Sequence, residues 1–188
     1  MQVYTTLKKL RGAGIVAGLR PDDAPIDIIT ILETDGLDAV LQIPHYVLCG
    51  QGLERRKRLF AVACCQNVWH LLNDTGRQAI RAAHLYAHKE VTLSDLEAAI
   101  NAARYTAWHE AVRLEVRVAV HGALLFASKQ SFRSLASGAA TIAAETAIKN
   151  TDGFVDKGIN GDIAWNAAWK AAREYQTAVF KTIFSGDY

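Results

Sequence analysis

Residues that interrupt helices are scarce in this chain. Its 188 residues include three prolines, Pro21, Pro25 and Pro44, so nothing of that kind stops a helix after residue 44. Long apolar runs are missing too. None approaches the roughly 18 residues that a membrane-spanning helix needs, and the opening segment MQVYTTLKKLRGAG has no apolar signal core. Both observations lead to the expectation of a cytoplasmic protein with no membrane partner. Cysteine is sparse: Cys49, Cys64 and Cys65 are an odd count with an adjacent pair, a poor disulfide framework. No CxxC and no zinc-type spacing occurs, so the expectation is reduced thiols acting as small apolar residues.

Charge of one sign is also in short supply. The net charge is +2, which by itself calls for neither nucleic acid nor an acidic substrate. Motifs with a known mechanical basis are absent: no Walker loop, no GxGxxG, no GxSxG and no HExxH. Asp152, Asp156, Asn160 and Asp162 do not fall at the spacing of a calcium loop. The expectation is a protein that is not an enzyme, with no cofactor and no bound metal.

What is present is helix-forming composition, 51% hydrophobic and 21% charged, rich in Ala, Leu, Arg, Glu and Lys. Strict alternation is rare, so the chain reads as all-α: a single-domain helical bundle over 1–188. Residues 1–48 form an amino-terminal helical subregion, 52–149 the core helices, and 162–184 a final helix after a Gly/Asp loop. The bundle is organised around a long central helix at about 94–127. Ser94 with Glu97 fits a capping box there, and Thr92 is the other candidate cap. That helix has two apolar stripes. Leu96, Ile100, Ala103, Ala107, Leu114, Val118 and Leu125 make one; Tyr105, Trp108, Val112, Val116 and Ala119 make the other. Two stripes predict packing on both sides, the alternative being an exposed docking face.

The amino-terminal part reads as a helix from Val3 to Arg11 closed by Gly12 and Gly14. A second helix is capped by Asp23, carries Pro25 in its first turn and ends at Asp35 and Gly36. A short helix from Leu37 to Gln42 follows. A strand through Ile28, Ile29 and Ile31 is the competing reading. A long helix then runs from Gly52 to Leu72 and another from about Thr75 to His88. Asp162 is the expected cap of the last helix, where Trp165, Trp169, Ala172, Gln176 and Phe180 share a face.

Several residues have chemical potential. His84 and His88 have the i, i+4 spacing of a metal pair, but Arg77 and Arg81 on the same side repel a divalent ion. An exposed Arg/His stripe, or a surface that binds an anion or an acidic partner, fits better. His109 and Glu110 are adjacent on a helix and diverge, which is poor geometry for acid–base work. His121 reads as a core histidine. Arg55, Arg56, Lys57 and Arg58 form a basic run at a helix start, where positive charge is unfavourable; the expectation is a solvated helix end, a partner surface being the alternative. No interleaved aromatics accompany it, so stacking of single-stranded nucleic acid is poorly supported. The candidate partner-binding residues are therefore Arg55, Arg56, Arg58, Arg77, Arg81, His84, His88, Asp152, Asp156, Trp165 and Trp169.

Residues from about Arg55 to Asn150 resemble a helical immunity-protein family of bacterial polymorphic-toxin systems, also found in phage and prophage genes. The resemblance rests on RLFAVACCQNVWHLL, RQAIRAAHLYAHKEVTLSDLEAA and ARYTAWHEA, which are mainly packing motifs. TLKKLRGAGIVAGL, PIDIITILETDGLDAVL and the Ala/Trp/Arg-rich last helix look similar to phage-borne relatives. Gln66 and Asn67 stand where relatives often carry arginine, which implies a different partner if that position is a contact. The resemblance implies an all-α protein that neutralises another protein, a toxin domain in the first instance. Its close variant is a phage-encoded inhibitor of a host defence system, of the anti-CRISPR type, acting on a defence-system component. The competing classes are a helical metal-dependent enzyme and a nucleic-acid binder, and homo-oligomer formation stays open.

Overall fold

The computed structural model describes residues 3–14, 24–50, 52–109, 140–141, 144 and 159–185. Those residues form an all-α protein with a minute two-stranded sheet at one corner.

The corner departs from the sequence reading. Tyr4–Thr6 is a strand (β1), and the first helix (α1) covers only Leu7–Gly12. Thr6 ends the strand and caps the helix, accepting from the Lys9 backbone N–H at 3.3 Å. Pro25–Asp27 is the second strand (β2), antiparallel to β1, with Thr6 opposite Pro25 and Tyr4 opposite Asp27. Pro25 therefore opens a strand, a position that tolerates its missing N–H, and is not in a helical turn. Tyr4 also exchanges two backbone hydrogen bonds with Cys49, at 2.8 and 2.7 Å. Both neighbours of β1 are thus distant in sequence. The buried Thr5 hydroxyl reinforces the junction by donating to the Val47 carbonyl at 2.8 Å.

The next helix (α2) spans Ile28–Gln42. Its cap is Asp27, whose carboxylate accepts from the Ile29 N–H at 3.3 Å, rather than Asp23, which lies outside the described residues. The isoleucines are helical, so the competing strand fails by one residue. Gly36 breaks α2 in two with φ 82° and ψ 175°, a conformation that side-chain-bearing residues resist. The expected stop at Gly36 is therefore a kink, with Leu37–Gln42 continuing beyond it.

Helix α3 spans Leu53–Gln66 and follows Gly52, whose φ is 70°. It is shorter than the expected helix to Leu72: the chain turns at Asn67 and Val68 and makes a separate 3-10 turn over Trp69–Leu71. Helix α4 covers Asp74–Ala87, capped by the Asn73 side chain, which accepts from Gly76 N–H at 2.9 Å. Helix α5 covers Leu93–His109. Its capping box is Thr92 with Asp95 and not Ser94 with Glu97. The Asp95 carboxylate accepts from the Thr92 N–H at 2.9 Å and the Thr92 hydroxyl at 2.7 Å, and that hydroxyl accepts from the Asp95 N–H at 3.3 Å. The stretch 110–127 of the expected central helix, with His121, lies outside the described residues. Helix α6 spans Ile159–Phe184 and starts before the expected cap at Asp162.

One apolar cluster joins these parts. It holds Val3, Leu7 and Leu41 from the amino-terminal region, Phe60, Cys65 and Ile80 from α3 and α4, Leu96 and Ile100 from α5, and Phe180 and Phe184 from α6. The amino-terminal residues therefore pack on the main core. Helix α6 lies against α2 and α3. The Phe180 ring meets Phe60 edge-on at 5.3 Å and stacks on Phe184 at 4.1 Å. Across the same junction Arg173 pairs with Asp38, and Lys181 reaches Glu33 at 2.5 Å. Of the two stripes on α5, Leu96, Ile100 and Ala103 are buried while Tyr105 is 68% exposed. The other members of the Tyr105 stripe lie outside the described residues or have side chains that do.

Cys64 and Cys65 are buried free thiols. Burial drives the Cys64 thiol well above the ordinary range and pushes Cys65 up to about 12, so both behave as apolar groups. Cys49 is only partly buried and accepts a hydrogen bond from the Lys9 ammonium at 2.9 Å.

Candidate binding groove on helices α3 and α4

The most amphipathic described helix is α4. Ala79, Ile80, Ala83 and Ala87 face the core, which sends Arg77, Arg81, His84 and His88 to one outward line. Asn67 ends α3 just short of Trp69, and the 3-10 turn swings that indole over the start of α4. The result is an open groove of about 390 Å³ lined by Gln66, Trp69, Ile80, Arg81, His84 and Leu85.

Its cations differ in how far they are committed. Arg55 reaches across from α3 and donates through Nε to the Ala87 carbonyl at 2.9 Å and through Nη2 to His88 Nδ1 at 3.3 Å. Arginine has only donors, so His88 Nδ1 accepts and the ring proton sits on Nε2. The pair satisfies a carbonyl at the end of α4 and fixes the His88 ring. Arg77 donates to the Trp69 carbonyl at 3.3 Å and stands 3.8 Å from the Asp74 carboxylate. Arg81 lies over the Trp69 ring at 5.4 Å and Arg77 at 5.9 Å, within reach of its negative face. The rings of His84 and His88 are 4.6 Å apart. Among the described residues no group of three or more His, Cys, Asp or Glu is placed to hold a metal. With His88 Nδ1 taken by Arg55, the pair is poor soil for a cation.

The other sequence candidates go elsewhere. Arg56 is 4% exposed and points away from the groove, donating to the Phe184 carbonyl at 3.0 Å. Its neighbour Lys57 is buried as well and reaches the Glu54 carboxylate at 2.8 Å. The basic run is therefore not a solvated helix end: half of it is inside. Arg58 lies over Tyr86 at 4.5 Å, and burial lowers its pKa without approaching neutrality at physiological pH. Trp165 and Trp169 are half-buried and stack at 6.2 Å, with Arg173 6.0 Å from the Trp169 ring centre. Asp152 and Asp156 lie outside the described residues, as do the side chains of Arg104, Trp108 and His109 and the whole of Glu110.

Sequence reasoning missed Trp69 as a groove residue, because a helix continued to Leu72 places it in the core, whereas Gln66, singled out as a possible contact position, does line the groove. Asn67, a residue that favours helix ends over helix interiors, was the available signal.

No protein-family model, curated protein or solved structure matches the chain. Among the described residues no helix is long and apolar enough to cross a membrane.

Proposed function

We propose that this protein is a non-catalytic binding protein that neutralises a partner protein, toxin immunity being the role its sequence resemblance favours. The observation that carries the reading is the α3–α4 groove, an open concavity in which Trp69, Arg81 and His84 converge on apolar walls from Ile80 and Leu85. Tryptophan and arginine are the residue types that most often anchor protein interfaces. The groove stands on two helices braced by Arg55 and Arg77, so it is presented without reordering, which lowers the entropic cost of association. An inhibitor of a host defence system would use the same surface and differ only in what it captures.

The test pairs the protein with the product of its neighbouring gene. Co-expression should yield a one-to-one complex on gel filtration and suppress the partner's toxicity. The variant Arg81→Glu should lose both while melting like the parent. Unchanged complex formation by that variant would move recognition to another surface. A soluble partner that is neither bound nor neutralised would remove this function for that gene pair.

A further inference from the structure

We infer that the groove takes a single carboxylate side chain, an aspartate or glutamate presented by a protein segment with an apolar neighbour, and discriminates against phosphate polyanions. The inference rests on the binding role proposed above and names the chemistry of that site's occupant.

The committed cations identify the open ones. Arg55 spends its donors on Ala87 and His88, and Arg77 on the Trp69 carbonyl beside Asp74. Arg81 and His84 are both exposed. Among the described residues Arg81 lies over Trp69 and His84 beside the His88 ring, and neither side chain makes a hydrogen bond or ion pair. These groups therefore have donor capacity directed at the groove with no protein acceptor using it. Charge-assisted hydrogen bonds to a carboxylate are about twice as strong as neutral ones, so an acidic side chain is the complement. The apolar part of the lining, Trp69, Ile80 and Leu85, accounts for the neighbour: it can cover a methylene stem or an adjacent aliphatic residue.

Size and fencing argue against nucleic acid. The stripe of α4 is bounded at its start by Asp74, whose side chain is 92% exposed. Past its other end exposed Lys89 and Glu90 stand side by side, and Glu54, paired with Lys57, is 65% exposed on the adjoining start of α3. A continuous phosphate backbone laid along the stripe meets a carboxylate near each end, whereas one carboxylate in the middle faces Arg81 and His84 alone among the charged and titratable lining residues. Binding of a phosphate polymer also scales with the number of cations it engages, and the groove lining itself holds one arginine and one histidine.

The indole N–H of Trp69 reports occupancy, and its nitrogen resonance is assigned by its loss in Trp69→Phe. Titration of the labelled protein with acetyl-Leu-Glu-Leu-amide should shift that resonance saturably. Acetyl-Leu-Gln-Leu-amide should bind about tenfold more weakly or worse, the factor equivalent to 1.4 kcal/mol. Arg81→Gln should abolish the response with an unchanged melting curve, and Arg77→Gln should retain it. Equal response to the Glu and Gln peptides, or no response to either, overturns the inference. So does a response to oligothymidylate or inorganic phosphate that equals or exceeds that of the Glu peptide. The titration needs no partner protein. A saturable response beside a failed neutralisation assay leaves the inference standing and removes the neutralising role. A silent groove beside a successful assay does the reverse.

Discussion

Arg55, Arg56, Lys57 and Arg58 show how far neighbouring residues of one type diverge on a helix. Successive side chains are 100° apart, so a run of like charge at a helix start is distributed around the axis and not presented as one patch. Arg55 goes to α4, Arg56 to the end of α6 and Arg58 to Tyr86. A linear reading sees a charge run and places it in water; only the neighbouring helices reveal which member is enclosed. Arg56 is the informative one. Replacing it by leucine keeps an apolar stem but removes the donor to the Phe184 carbonyl. An unsatisfied buried acceptor costs about 1–3 kcal/mol. Urea unfolding of Arg56→Leu should show a loss in that range, and a variant as stable as the parent would mean that water replaces the guanidinium.

Helices were legible where their signals are local. The segments 53–66 and 74–87 carry helical periodicity, the second with its Asn73 cap beside it, and Gly36 marks a break that the sequence reads as a stop and the fold makes a kink. The strands were not legible. Each has three residues, too short for alternation to show, and β1 finds its partners at 25–27 and 49 through contacts that no local window contains. Half of the site was readable for the same reason: the Arg77, Arg81, His84, His88 line belongs to one helix, whereas the wall from Trp69 needs the break after α3. The capping box of α5 offers a pH test. Hydrogen bonds from the Thr92 hydroxyl and then its N–H hold the Asp95 carboxyl below its ordinary value of 3.8. A depressed folded value adds stability that is present above the unfolded carboxylate pKa and lost as pH falls through the folded one. The melting temperature of Thr92→Ala should therefore trail the parent at pH 7, and the gap should narrow as the pH is lowered below about 4. A gap that stays constant with pH would show that the cap acts only through its neutral hydrogen bond.

Across the whole molecule, α6 separates an enclosed half from a half-covered one. Phe180 is 1% exposed between α3 and its own Phe184, whereas Trp165 and Trp169 are half-buried near the other end. The phenylalanines, Arg173 and Lys181 make the described contacts that hold this helix against α2 and α3. Phe180→Ala should cost about 3–5 kcal/mol, the range for emptying a packed aromatic site. Trp169→Ala should cost less, since part of its surface is already in water. Calorimetric melting of the two variants side by side checks the order, and a larger loss for Trp169 would place that ring in the true core.

The contacts that hold α6 have a consequence for how the chain reaches its final form. Arg56 to Phe184 spans 128 residues, Asp38 to Arg173 spans 135 and Glu33 to Lys181 spans 148. Contacts so distant along the chain are slow to form, because a large loop must close before any of them is rewarded. During synthesis, the apolar surfaces of α2 and α3 emerge long before the helix that covers them, and the intervening time is when they are open to wrong associations. The buried Arg56 lies on that waiting surface, because its partner is the Phe184 carbonyl at the end of α6. Until α6 arrives, water must satisfy the guanidinium that the finished chain encloses.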